Sequence, residues 1–379
     1  MDAVYEFRDD RILKSMAFSF SKIFSSLRTA APSLLPQKIV GIDFGSGSIK
    51  VVELTQREGV VTLTAYGELQ LGPYGEQALG EAVTLAKDKQ VQSLVDVLRE
   101  SNITATDGVL SLPLHSSFVT VMSVQTDSEE ELDARVRVEA RKYIPVPINE
   151  VFLNWVPLEQ VGEAATNMQE VLVAAIQHES LNTMTELMGA VKMTSQPSEI
   201  EIFSTIRALS EDAEEPIAII DLGARTSKMY IARKGLLHRL HRVQVGGSTA
   251  TKALSKVFEC DFLKAENIKR NYTPEVDRAA DIKQSVIATY ERPMQEFKRL
   301  LDQYESRSGV AIKKISLTGG GANFSELAPF ASYTFDRPAE VANAFEKVEY
   351  PAFMEDALKE ISPSFTVAIG AALRPFSGA

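Results

Sequence analysis

Two segments 178 residues apart, measured from Asp43 to Asp221, carry the same residue types in the same order. IVGIDFGSGSIKVV from Ile39 aligns without a gap on IAIIDLGARTSKMY from Ile217. Asp43 falls on Asp221, Gly45 on Gly223, Ser48 on Thr226 and Lys50 on Lys228. Solenoid repeats run to about 20–50 residues, so this spacing excludes a solenoid and fits a duplicated domain. Each copy reads as a β-branched strand ending on an acid, a turn of small residues, and a second strand.

An ordinary hairpin turn needs only one or two glycines. The first copy spends Gly45, Ser46, Gly47 and Ser48 on its turn. Glycines let a ligand approach the backbone, and successive N–H groups make a concavity for anions. Hydroxyls add donors, and Lys50 adds a point charge. A carboxylate at the strand end repels phosphate directly, but it suits a hydrated Mg²⁺ lying between the two. Two such hairpins facing one another would clamp one polyphosphate from both sides. No G-x-x-x-x-G-K-[ST] loop is present, so the pattern is not a Walker A site.

A third cluster completes the set. KKISLTGGGANFSEL from Lys313 predicts a strand, the turn Gly319, Gly320, Gly321, and a helix starting near Asn323. Such a turn admits a flat ring or a ribose, and a helix N-terminus favours phosphate.

The 379 residues suffice for two domains, and the net charge of −11 argues against general nucleic-acid binding. The local basic run 239–242 reads as a solvated strand face. The single cysteine, Cys260, permits no intrachain disulfide and fits a reducing compartment; at the end of TATKALSKVFEC it reads as core. No apolar run approaches the ~20 residues of a membrane-spanning helix.

The segment from Met16 places Met16, Phe20, Ile23, Phe24 and Leu27 at helical spacing, with Lys22 and serines elsewhere. It fits an amphipathic membrane-surface helix over 16–28, a helix docking on a partner, or a flexible leader. Residues 30–36, with two prolines, read as a linker. His238 and His241, three apart in a strand, are expected on opposite faces and unable to share a metal.

In this order the two turns and the glycine cluster resemble the actin, Hsp70 and sugar-kinase ATPase superfamily. PSEIEIFSTIRAL at Pro197 and SFTVAIGAAL at Ser364 look like its two connecting helices. VEARKYIPVPINEVFLNW from Val138, followed by VLVAAIQHESLNTMTELMGAV from Val171, resembles the PilM family of type IV pilus assembly proteins, relatives of the division protein FtsA. The correspondence covers about residues 38–375. It implies a two-lobed α/β fold of actin/Hsp70 type, with duplicated RNase H-like domains and an FtsA/PilM-type inserted subdomain. Expected boundaries are a leader 1–37, a first lobe 38–210 with the insertion at 112–168, and a second lobe 211–379 with a helical insertion at 262–310.

The resemblance further implies ATP and Mg²⁺ in an interlobe cleft. Asp43 and Asp221 would face the metal through water. Gly45, Ser46, Gly47, Ser48 and Lys50 would meet the phosphates, with Gly223, Thr226 and Ser227 as the second clamp. Gly319, Gly320, Gly321 and Asn323 would cover the adenosine side. Glu266 and Lys269, three apart on one helical face, resemble residues flanking adenine or ribose, and equally fit a plain ion pair. Glu201 falls where the superfamily positions the attacking water.

The implied partner is the cytoplasmic tail of a PilN-like inner-membrane protein, in a groove near Tyr143, Ile144, Val146 and Phe152. Pilus motor ATPases, self-association, and a cytoplasmic place at the inner membrane complete the expectation. The second turn departs from the pattern: Ala224 and Arg225 put side chains where backbone should meet phosphate, which weakens the case for efficient hydrolysis. Arg225 either binds phosphate through its guanidinium or turns outward. An FtsA-like filament-forming division protein and a small-molecule kinase of the same fold are the alternatives.

Overall fold

The computed structural model describes residues 37–125, 129–159, 168–196, 198–210 and 215–376. The leader 1–36, with its expected surface helix at 16–28, lies outside them, as does Pro197 of the first connecting helix.

The chain begins with β1 (Gln37–Phe44), β2 (Ser48–Arg57) and β3 (Val60–Gln70), followed by α1 (Lys87–Glu100) and β4 (Asp107–Leu112). Next come β5 (Ser117–Gln125), α2 (Glu129–Ala140), β6 (Val151–Pro157), β7 (Met168–Gln177) and α3 (His178–Ala190). Two short strands, β8 (Thr194–Ser195) and β9 (Glu199–Ile200), lead into α4 (Glu201–Leu209). The second half holds β10 (Ile217–Leu222), β11 (Ser227–Arg233), β12 (Leu236–Val243), α5 (Gly247–Val257), α6 (Phe262–Arg270) and α7 (Ala279–Ser308). It ends with β13 (Ile315–Thr318), α8 (Leu327–Phe335), β14 (Ala339–Val341) and α9 (Glu355–Leu373).

The duplication read from sequence is a duplication of sheet order. One sheet runs β3-β2-β1-β4-β8, with β9 also on β4; the other runs β12-β11-β10-β13-β14. In each, an antiparallel hairpin lies beside a parallel crossover strand, β4 on β1 and β13 on β10. Continuous β-branched runs form these central strands because both faces are covered. In β1, Val40 and Ile42 pack into one cluster while Ile39 joins α9 in another. That first cluster also takes Ile202 and Ile206 of α4 with Ile219, Tyr230 and Leu237 of the second sheet, so the two halves share apolar contacts along α4.

The connecting helices α4 and α9 cross in direct contact. A Cβ on Gly370 would stand 1.8 Å from the Ser204 carbonyl oxygen, so no other residue lets these backbones approach. A third sheet, ordered β5-β7-β6, carries α2 on one face.

Three expectations change. The glycine cluster enters a 3₁₀ turn, Gly320–Asn323, and the helix begins only at Leu327. Cys260 lies beyond the end of α5 and is half-buried, packed at the edge of the second core. His238 and His241 both contact α7, against Tyr304 and Phe297, because a β-bulge at Ile231/Ala232 resets the alternation of β12. Their ring partners are two turns apart on α7, so the pair still does not converge on a metal.

Candidate functional site

The two hairpin turns open into one cleft. In the first, Asp43 pairs with Lys50 in the ladder, and Gly45 N–H donates to the Ser48 carbonyl at 3.1 Å. In the second, Asp221 pairs with Lys228, and Gly223 N–H donates to the Thr226 carbonyl at 3.0 Å. Register and turn are the same in both. The turns meet closely: a Cβ on Gly47 would lie 3.0 Å from Ala224 Cβ.

The cleft encloses about 1280 Å³. Its walls include Asp43, Gly45, Ser46, Gly47, Ser48 and Lys50 from one half, and Asp221, Gly223 and Thr226 from the other. Gly319, Gly320, Gly321, Asn323, Glu266, Lys269 and Glu201 line it as well. Gly319 has φ +80°, and a Cβ there would fall 2.5 Å from Asp221 Oδ1. Only glycine lets this turn pass under the carboxylate.

Ser227 is the exception among the expected clamp residues. It is fully buried, outside the cleft wall, and its hydroxyl donates to the Val245 carbonyl at 2.7 Å. Strand alternation explains this: Thr226 and Lys228 face the cleft, and the residue between them faces away.

The twin turns differ electrostatically. Lys50 donates to Ser48 Oγ at 2.6 Å and lies 3.6 Å from Glu68. Lys228 sits 2.8 Å from Asp221 Oδ2 and 3.0 Å from Glu201 Oε2. Burial alone would lower the Lys228 pKa, but those two carboxylates hold it well above the usual lysine range. Tyr230 donates to Asp221 Oδ2 at 2.9 Å, so this oxygen is already saturated. Asp43 is freer. Desolvation in the cleft, helped by Glu201 and Asp221 and opposed by Lys50 and Lys228, pushes its carboxyl up to about 6.

Among the described residues no group of three or more His, Cys, Asp or Glu is arranged to hold a metal directly. The donor set instead suits a hydrated cation: Asp43 is a desolvated carboxylate beside two others, and it gains most from a nearby positive charge.

Glu266 and Lys269 make the ion pair at 2.6 Å and also line the cleft. Glu266 is saturated by Lys269, Arg270 and Thr251. Arg225 crosses from the second turn to Thr84 on the cleft wall, with both terminal nitrogens 3.2 Å from its hydroxyl. Beside it, Ser248 Oγ accepts from Ala82 N–H and donates to the Gly80 carbonyl, each at 3.2 Å. The segment after β3 therefore straps across to α5.

Sequence reasoning passed over Gly246 and Gly247, which seat α5 on the second turn. Gly247 and Ser248 N–H donate to the Gly223 and Ala224 carbonyls, each at 2.9 Å. The available signal was Gly-Gly-Ser-Thr opening an amphipathic helix. Arg239, within the run expected to be solvated, is half-buried and paired with Glu170 at 2.8 Å.

The four residues expected around a partner groove do not share one surface. Ile144 and Val146 pack with α2 on one face of the third sheet. Phe152 lies on the other face, its ring 4.3 Å from that of His178. Tyr143 is 46% exposed. Phe152 alternates in β6 with Val151 and Leu153, which pack on the face of Ile144 and Val146. The cleft wall also includes the buried apolar side chains of Leu85, Leu114, Met184 and Leu187, between α3 and the 3₁₀ turn Leu114–Ser116.

A family model described as type IV pilus assembly protein PilM matches residues 41–376. The chain belongs to the PilM family. Its backbone is similar to a solved chain of a PilM–PilN type IV pilus biogenesis complex, with TM-score 0.74 and 24% identity over 90% of this chain and 98% of that one. It is also similar to the ethanolamine utilization protein EutJ from Carboxydothermus hydrogenoformans, with TM-score 0.55 and 15% identity over 93% and 94%. A diol dehydratase-reactivating factor, solved nucleotide-free, gives TM-score 0.51 and 12% identity over 90% and 100%. The two-lobed actin-like fold is thus common to this PilM-family chain and those proteins. No helix among the described residues is long and apolar enough to cross a membrane.

Proposed function

We propose that this PilM-family protein is an ATP-binding scaffold of type IV pilus assembly, with Mg²⁺ held through water by Asp43. The observation that carries this reading is the pair of Asp-Gly-hydroxyl-Lys hairpins, in one register, facing across one cleft. Gly45–Ser48 and Lys50 bind the β- and γ-phosphates, Gly223 and Thr226 close the other side, and Gly319–Gly321 with Asn323 take the adenosine. Bound Mg²⁺ supplies charge neutralisation for the phosphates. Asp221 acts as a structural anchor for Lys228 and Tyr230 more than as a metal contact.

Turnover is slow in this reading, because Arg225 and Ala224 stand where a tighter turn would bring backbone donors to the phosphate. The partner is the cytoplasmic tail of a PilN-like inner-membrane protein. Through it the protein sits at the cytoplasmic face of the membrane and links to pilus motors. Support for the partner comes from the likeness to a chain solved within a PilM–PilN complex.

Titration of a fluorescent ATP analogue, with and without Mg²⁺, into the wild type and Asp43→Ala tests the clamp. Mg²⁺ should tighten binding to the wild type by at least about tenfold and leave the variant unaffected. Equal affinities in all four titrations would overturn it.

A further inference from the structure

Glu201 uses its two oxygens on two different parts of the molecule. Oε2 lies 3.0 Å from Lys228 Nζ, itself 2.8 Å from Asp221 of the second hairpin. Oε1 accepts the backbone N–H of Leu114 at 2.7 Å. Leu114 opens the 3₁₀ turn that joins β4 of the first sheet to β5 of the third, and it lines the cleft. The side chains of Asp221, Lys228 and Glu201 are 9%, 7% and 15% exposed. Each contact is therefore made with little competition from water, where charge-assisted bonds are strongest.

This arrangement does not suit a residue whose task is only to orient a water. Each oxygen of Glu201 already holds a group of the protein, which gives the carboxylate a structural task whatever else it meets in the cleft. An anion in the cleft competes directly for Lys228, the cation that keeps Glu201 in place. Once Lys228 turns to that anion, the carboxylate is left without its counter-charge beside Asp43 and the incoming negative charge. It then withdraws, and the Leu114 N–H loses its acceptor.

We propose that Glu201 is a positioning residue that couples phosphate occupancy of the cleft to the Leu114 turn, and through it to the start of the third sheet. The ligand class is a polyphosphate, alone or as part of a nucleotide. The proposal rests on the nucleotide-binding reading above but adds a role that reading does not require.

Hydrogen exchange across residues 112–117, measured with the full chain, tests it with Mg²⁺ and AMPPNP, tripolyphosphate or adenosine as probes. Binding of each probe is measured in parallel by calorimetry. In the wild type, AMPPNP and tripolyphosphate should speed exchange of the Leu114 amide by about tenfold, the worth of one bond to a charged acceptor. Adenosine should leave it unchanged. Glu201→Gln retains an acceptor for Leu114 but no charge for Lys228, and should not respond to any probe. Lys228→Met should exchange fast at Leu114 without ligand. Melting curves verify that both variants are folded. If AMPPNP binds the wild type and exchange at 112–117 stays constant, or if Glu201→Gln responds as the wild type does, the coupling is overturned while nucleotide binding stands. If neither AMPPNP nor tripolyphosphate binds, both readings fall together.

Discussion

Arg225 reaches across the cleft to Thr84, placing both guanidinium Nη atoms 3.2 Å from one hydroxyl. This contact, with Ser248 against Gly80 and Ala82, ties the strap after β3 to the opposite half. The pair is exposed, so it governs access more than stability. Thr84→Val should leave the melting temperature within about 1 °C and speed dissociation of a bound fluorescent nucleotide by about two- to fivefold. Stopped-flow displacement measures that rate; an unchanged rate would show that the strap does not limit release.

The carboxyl of Asp43, pushed up to about 6 chiefly by desolvation, makes a signed prediction. Between the ordinary aspartate pKa and 6 the folded state holds a proton that the unfolded state has lost. The contribution of Asp43 to stability therefore falls as pH rises through that window, and its charge is unfavourable to the ligand-free fold at neutral pH. Asp43→Asn should melt higher than the wild type at pH 7 and show a smaller stability change between pH 4 and pH 7. Calorimetric melts of both proteins across that range decide the matter.

Glu199 is buried and bound by Arg207, with Ser204 at 2.7 Å and Arg374 at 3.4 Å. Burial raises its pKa, yet these partners more than offset it and hold the carboxyl below its usual range. Its stabilising effect is thus present above the ordinary glutamate pKa and lost as pH falls further. Arg207→Ala leaves the buried carboxylate only Ser204 and the longer Arg374 contact, and should cost about 3 kcal/mol in urea denaturation.

Two glycine substitutions should separate cleanly. Gly370→Ala forces a Cβ into the Ser204 carbonyl where α4 and α9 cross, and should destabilise by about 3 kcal/mol or more. Gly189→Ala, near the end of α3 with nothing within 4 Å, should be neutral or stabilising by about 0.5–1 kcal/mol. Equal effects would mean the helix crossing is looser than its geometry.

The chain's order of residues determined the duplicated hairpins, the glycine turn and the cleft-facing set around Asp43, because these follow from local periodicity and turn chemistry. The family was legible for the same reason, in contiguous text such as YIPVPINEV and TGGGAN. Tertiary structure decided how the twins differ. Lys50 and Lys228 are equivalent in sequence, yet only Lys228 is captured between two carboxylates, one of them Glu201 from a helix outside its hairpin. Ser227 and Phe152 read as site residues by neighbourhood, but strand alternation turned both away. His238 and His241 came to one side through a bulge that no spacing rule announces. In each case the deciding partner is distant along the chain, and electrostatic pairing depends on distance in space.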